Sequence, residues 1–201
     1  MRANAMTTVS TRRPGRPRSE IATAAVLDAA YRLSAAFGLR GASIQAIADE
    51  SGVSKMTIYK WWPSRLHLLI DAYLRQATVL LPLSETVPPL KAIRAHVVRY
   101  LAALQGDFGR VQLAVQAECI AEHGNSDLFV ERYLRIRRDL GIMVIRRGQS
   151  DGTITANRSA EALYDQIYGT IFYRCQFGLN GLDHAFVKTL VDSVLRPASQ
   201  E

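Results

Sequence analysis

Cysteine is scarce in this chain: of 201 residues only Cys119 and Cys175 are cysteines, 56 positions apart, which is neither a zinc spacing nor a disulfide framework. Each reads as a small core residue. Long apolar runs are missing too, since no window approaches the roughly 18 consecutive apolar residues of a membrane span. The opening MRANAMTTVSTRRPGRPRSE has no apolar secretory segment, so a cytoplasmic location without membrane contact is expected. Neither HExxH nor a phosphate-binding glycine loop occurs, and no nucleophile, base and orienter can be assembled from a local signature. An enzyme is not expected, nor is a metal or other cofactor. Strand-like alternation is absent as well.

What is present is 48% apolar content, enough for one substantial core or two small ones, and a lopsided charge. Residues 1–75 carry 11 Lys or Arg against 5 acids, a balance of +6, whereas residues 76–201 carry 14 against 13, a balance of +1. The front third therefore faces a polyanion. Charge sign does not separate nucleic acid from an anionic lipid surface, so pattern must decide.

Residues 1–18, polar and rich in Arg and Pro, read as an arm without fixed structure. A helix is expected from Ser19, with Ala22, Ala25, Val26, Ala29, Ala30, Leu33, Ala36 and Phe37 on one stripe and Gly38 ending it. A second is expected after Ser43, with Ile44, Ile47 and Ala48 on one face and a break at Ser51 and Gly52. Ser54 caps a third, which Pro63 stops. Two short helices crossing steeply need a small residue at the crossing, a positive-φ residue in the turn and apolar plugs beneath. Ala48, Gly52 and the trio Ile47, Val53 and Ile58 supply these, and the spacing fits a helix-turn-helix.

The run LRGASIQAIADESGVSKMTIYKWWPSRLHLL, Leu39 to Leu69, resembles the DNA-binding segment of the tetracycline-repressor (TetR) family of bacterial transcriptional regulators. The likeness spans about residues 19 to 75. It implies an all-α protein of about nine helices, with a three-helix DNA-binding domain at 19–65 and a ligand-binding and dimerisation domain at 66–201. It further implies a homodimer on a palindromic double-stranded DNA operator, a small-molecule inducer and repression as the default action. By this resemblance Lys55, Met56 and Thr57, behind the Ser54 cap, face the groove floor, and Gln45 reaches a base from the preceding helix. Tyr59 and Lys60 are expected on phosphates, with Ser43 and Arg65 gripping the flanks. Trp62 is assigned to the core on Phe37 and Leu66, and Trp61 to the DNA-facing rim; the alternative is that both tryptophans seal the core. Arg13, Arg16 and Arg18 either enter a minor groove or form a solvated tail that speeds encounter.

Beyond a fourth helix from Ser64 to about Leu80, the segment PLSETVPP interrupts the pattern. Five further helices are expected at Leu90–Gln105, Gly109–His123, Ser126–Gly148, Ser159–Gly178 and Asp183–Leu195. Two apolar stripes are expected to form an isologous dimer interface: Leu163, Ile167, Ile171 and Cys175 on one helix, and Phe186, Leu190, Val191 and Val194 on the next. The alternative is that both fill the subunit core. Tyr100, Phe108, Gln112, Gln116, Cys119, Tyr164, Tyr168 and Phe172 are the candidate ligand-pocket residues. His96 and His123 read as ordinary helix residues, and the basic run Arg132–Arg138 as a solvated helix face. Two other readings stay open: a constitutive binder of DNA or anionic surfaces, and a regulator switched by oxidation of Cys119 or Cys175.

Overall fold

The computed structural model describes residues 19–84, 86–179 and 181–196, and among them every regular element is a helix. The arm, with Arg13, Arg16 and Arg18, lies outside the described residues. The elements are α1 (Glu20–Gly41), α2 (Ile44–Ser51), α3 (Lys55–Trp61), α4 (Arg65–Leu80), α5 (Pro89–Leu104) and α6 (Asp107–His123). They continue with α7 (Asp127–Phe129), a π-turn (Val130–Leu134), α8 (Arg135–Ser150), α9 (Ala160–Gln176) and α10 (His184–Leu195). Phe129, Val130, Leu134 and Arg135 all keep right-handed helical backbone, so α7, the π-turn and α8 run on as one rod. Nine helices result among the described residues.

Local chemistry sets most of the boundaries. Ser19, Ser43, Ser54, Ser64, Ser159 and Asp183 each stand in extended backbone just before a helix, and each side chain accepts the amide N–H three residues on. Such caps contribute about 1 kcal/mol apiece. Gly52 takes the left-handed conformation (φ 69°, ψ 12°) that the α2–α3 turn needs and a Cβ would strain. Gly38 (φ 71°, ψ 176°) breaks α1 where a stop was expected, although one more turn follows.

In the head, α1 packs on α2, and Val26, Ala29, Ala30, Ile44, Ile47, Ile58 and Trp62 are buried together. α4 joins the head to the body: Leu66, Leu69, Ile70 and Tyr73 are all buried, and α4 packs on α1, α6 and the π-turn. In the body, α5 lies against α6, α8 and α10, and α9 packs on α8 and α10.

Two packing expectations need correction. Phe37 is 71% exposed and does not cover Trp62; the kink at Gly38 one residue later interrupts the stripe to which Phe37 belonged. Leu163, Ile167, Ile171, Val191 and Val194 are buried inside the protomer, with Cys175, Phe186 and Leu190 packed against the same core. Their stripes pack into the subunit's own core, the alternative that the sequence left beside a dimer interface. The outward sides of α9 and α10 are formed instead by residues such as Gln166, Gly169, Tyr173, Ala185 and Thr189, and Phe177 stands exposed just beyond α9.

Candidate nucleic-acid interface and interior cavity

The α2–turn–α3 unit holds the reading residues on solvent. Ser43, Gln45, Ser54, Lys55, Met56, Tyr59 and Lys60 are exposed, and Thr57 and Trp61 half-buried, while Ile47 and Ile58 anchor the two helices from beneath. Met56 is the telling one: a large apolar side chain 81% exposed at the start of α3 has no packing role. Ser54 Oγ accepts the Thr57 N–H at 3.3 Å and lies 3.0 Å from Thr57 Oγ1, which stiffens the first turn of α3. Gln45 Nε2 donates to Asp49 Oδ1 at 2.7 Å, so its amide must swing from an exposed bond to meet a base. Trp61 and Trp62 meet edge to face with centroids 5.8 Å apart; Trp62 is buried, and its Nε1–H donates to Asp71 Oδ2 at 2.8 Å.

Arg65 is diverted from the phosphate role expected of it. Its guanidinium donates to the Leu39 carbonyl at 2.6 Å and pairs with Glu118 of α6. The extra turn after Gly38 brings that carbonyl within reach, so Arg65 clamps head to body. A second strut lies nearby: Arg132, in the π-turn, donates to Asp71 at 2.9 and 2.5 Å, the same carboxylate that holds Trp62. The run Arg132–Arg138 is therefore no simple solvated face. Arg138 makes a bidentate pair with Asp165 at 2.9 and 2.7 Å, and Arg137 turns inward.

The body holds a cavity of about 340 Å3 that opens to solvent beside Leu134, Asp165 and Gly169. Tyr100, Gln112, Gln116, Tyr164, Tyr168 and Phe172 line it as expected. Phe108 and Cys119 do not: Phe108 stacks on Tyr73 with centroids 4.4 Å apart, and Cys119 is wholly buried in the packing. Sequence reading missed His96, Phe129, Tyr133 and Arg137, which join the lining because the π-turn and α5 converge on it. Only the aromatic and basic density of the run from Phe129 to Arg138 hinted at this.

Tyr164 and Tyr168 stack at 4.2 Å, and His96 Nδ1 meets the Tyr168 hydroxyl at 2.8 Å. Burial, with the guanidiniums of Arg137 and Arg99 nearby, pushes the His96 imidazole down to about 3. Burial likewise raises the phenols of Tyr100, Tyr164 and Tyr168, so all stay protonated at neutral pH. The pentapeptide GQSDG at 148–152 has the spacing of a nucleophile elbow, yet Ser150 sits at the end of α8 and its hydroxyl donates to the Arg146 carbonyl at 3.0 Å. It lacks the strand-to-helix setting that such a nucleophile requires.

A capped helix-turn-helix with exposed reading residues, standing on an all-helical body that holds an aromatic cavity, defines a class, the one-component DNA-binding regulator. Two family models refine this: "Bacterial regulatory proteins, tetR family" matches residues 26–72, and "Tetracyclin repressor-like, C-terminal domain" matches residues 90–194. The chain is 32% identical over 185 residues to the HTH-type transcriptional regulator YdeS of Bacillus subtilis (strain 168), covering 88% of this chain and 89% of YdeS. The crystal structure of the TetR family transcription regulator SCO0332 superposes with a TM-score of 0.77 at 26% identity, covering 87% of this chain and 97% of that one. A regulator from Saccharomonospora viridis in complex with choline shares the fold, with a TM-score of 0.62 at 22% identity and coverage of 90% of this chain and all (100%) of that one. This chain belongs to the tetR family of transcriptional regulators, which are DNA-binding proteins and not enzymes. Among its described residues, no helix is long and apolar enough to cross a membrane.

Proposed function

We propose that this protein is a cytoplasmic repressor that binds a palindromic operator as a homodimer and is released when a small molecule occupies the interior cavity. The observation that carries the reading is the pair of struts between cavity and head. Val130 and Tyr133 of the π-turn line the cavity, while Arg132 between them grips Asp71 and, through it, Trp62 at the C-terminal end of α3. Arg65 ties α4 to Glu118, two residues beyond the cavity-lining Gln116. A ligand that shifts the π-turn or α6 therefore acts on the recognition helix through charged side chains rather than through loose loops. The choline complex of the Saccharomonospora viridis neighbour supports a ligand role for such a body.

Dimerisation is assigned to the outward sides of α9 and α10. There Tyr173, at the end of α9, is 58% exposed and Phe177 just past it 62%, and they pair at 5.2 Å. Two such hairpins form a four-helix interface and set two heads about 34–36 Å apart, one turn of DNA. Lys55, Met56, Thr57 and Gln45 then read bases, and Tyr59, Lys60 and Ser43 hold phosphates. A redox switch is disfavoured because Cys119 is buried and burial raises the Cys175 thiol.

The test is selection of bound fragments from random DNA with the purified protein, followed by footprinting. An inverted repeat protected over two successive major grooves is expected. Equal affinity for every duplex, or tight binding to anionic vesicles, would establish the constitutive-binder reading instead.

A further inference from the structure

We infer that the cavity is built for an aromatic carboxylate, held by Arg137 and the Tyr168 hydroxyl at one end and by stacked tyrosines along its length. This rests on the cavity being the effector site, and deepens that reading by naming the ligand's charge. Three groups in the lining carry formal charge: Arg137, Arg138 and Asp165. The last two neutralise one another through their bidentate pair. Arg137 instead donates to the Leu81 carbonyl and to His96 Nε2 at 3.2 Å, both uncharged partners, and among the described residues no carboxylate meets it. The lining therefore carries one uncompensated positive charge, half-buried beside aromatic walls, where a counter-ion is worth more than in water.

The hydrogen bonds also run in one direction. Arg137 has no acceptor of its own, so its contact makes His96 Nε2 the acceptor and leaves the proton on Nδ1. Nδ1–H then donates to the Tyr168 oxygen at 2.8 Å, which leaves the Tyr168 O–H to point elsewhere, and Tyr168 lines the cavity. A donor and a cation thus face the space, which an anion with several lone pairs satisfies and an ammonium does not. Much of the remaining wall is aromatic, with Leu81, Val130 and Leu134 beside it: Tyr164 stacks on Tyr168 at 4.2 Å, and Phe129 lies 5.0 Å from Tyr133. Flat rings fit between such faces. At about 340 Å3 the space takes a two-ring acid with room to spare.

Isothermal titration of the full-length protein with three probes of one shape tests this: 2-naphthoate, the neutral 2-naphthamide and the cationic 2-naphthylmethylammonium. The carboxylate is expected to bind about 10- to 100-fold more tightly than the amide, the value of a hydrogen-bonded charge pair, with the ammonium weakest. Arg137→Gln should remove that advantage, and Arg137→Lys should keep part of it by retaining the charge. Gln116→Trp, which fills part of the cavity, separates the two layers of the inference. If it abolishes binding of all three probes while the wild type binds amide and carboxylate equally, the cavity is the site and the anion assignment is wrong. If 2-naphthoate binds Gln116→Trp as it binds the wild type, the cavity is not the site. Failure of 2-naphthoate to bind the wild type overturns the proposal outright, and the comparison among probes on the wild type holds even if a variant fails to fold.

Discussion

Replacing Asp71 with Asn removes one charge and leaves the shape intact, which isolates the strut beneath the recognition helix. Asp71 accepts Trp62 Nε1–H at 2.8 Å and two N–H bonds from Arg132 at 2.9 and 2.5 Å. A hydrogen bond to a charged group is worth about 1.5–3 kcal/mol when well buried. Here the Arg132 and Asp71 side chains are 34% and 23% exposed, so solvent screening trims the loss, and the Asn carbonyl can still accept one bond. The expected cost is about 1–2 kcal/mol, or about 3–6 °C in melting temperature for a chain of this size. Thermal unfolding followed by circular dichroism measures it. Arg132→Met should cost a similar amount, and the double variant should cost clearly less than the sum, because the two changes break one interaction. Trp62 emission should change with Asp71→Asn, since its indole loses a charged acceptor. Operator affinity should become less sensitive to whatever ligand fills the cavity. A melting shift within about 1 °C of zero, or strict additivity in the double variant, would sink the idea that this strut joins body to head.

Lys55→Ala and Gln45→Ala should each cost about 1–3 kcal/mol on the selected operator and relax base choice, whereas Lys60→Ala should weaken all sequences alike; binding to operator and scrambled duplexes distinguishes these outcomes. Arg65→Ala should act chiefly on stability, because its guanidinium is held by the Leu39 carbonyl and Glu118. His96 makes stability pH-dependent: its folded value of about 3 lies below the ordinary value of about 6.5, so the unfolded chain binds the extra proton. Stability is therefore full above about pH 6.5 and falls by up to about 1.4 kcal/mol per unit as pH drops toward 3, and His96→Gln should flatten that limb in denaturant melts. Peroxide should leave operator affinity unchanged, as titration on labelled DNA before and after treatment will read.

The head was legible in the residues because its signals are local. Ser43, Ser54 and Gly52 act within a few residues, and the alternation of Ile47 and Ile58 with exposed neighbours is a matter of helical period. The order and rough limits of the helices followed for the same reason. The body was legible as helices but not as faces. α9 and α10 have one side against their own subunit and another outward, and hydrophobic spacing picked out the inner side but favoured a second subunit as its partner, where the structure packs it on its own core.

What the chain's order of residues determined by itself is the set of helices, their caps and the reading surface, since each depends on neighbours within about one helical turn. What only the tertiary structure decided are the partners of long side chains. Arg65 meets Glu118, Arg132 meets Asp71 and Arg137 meets His96 across separations of 53, 61 and 41 residues. A guanidinium on a flexible stem has many reachable acceptors, and the packing of distant helices selects among them. The cavity is of the same kind, being the space left where α5, α6, the π-turn and α9 fail to fill one another, and no short stretch of the chain encodes it.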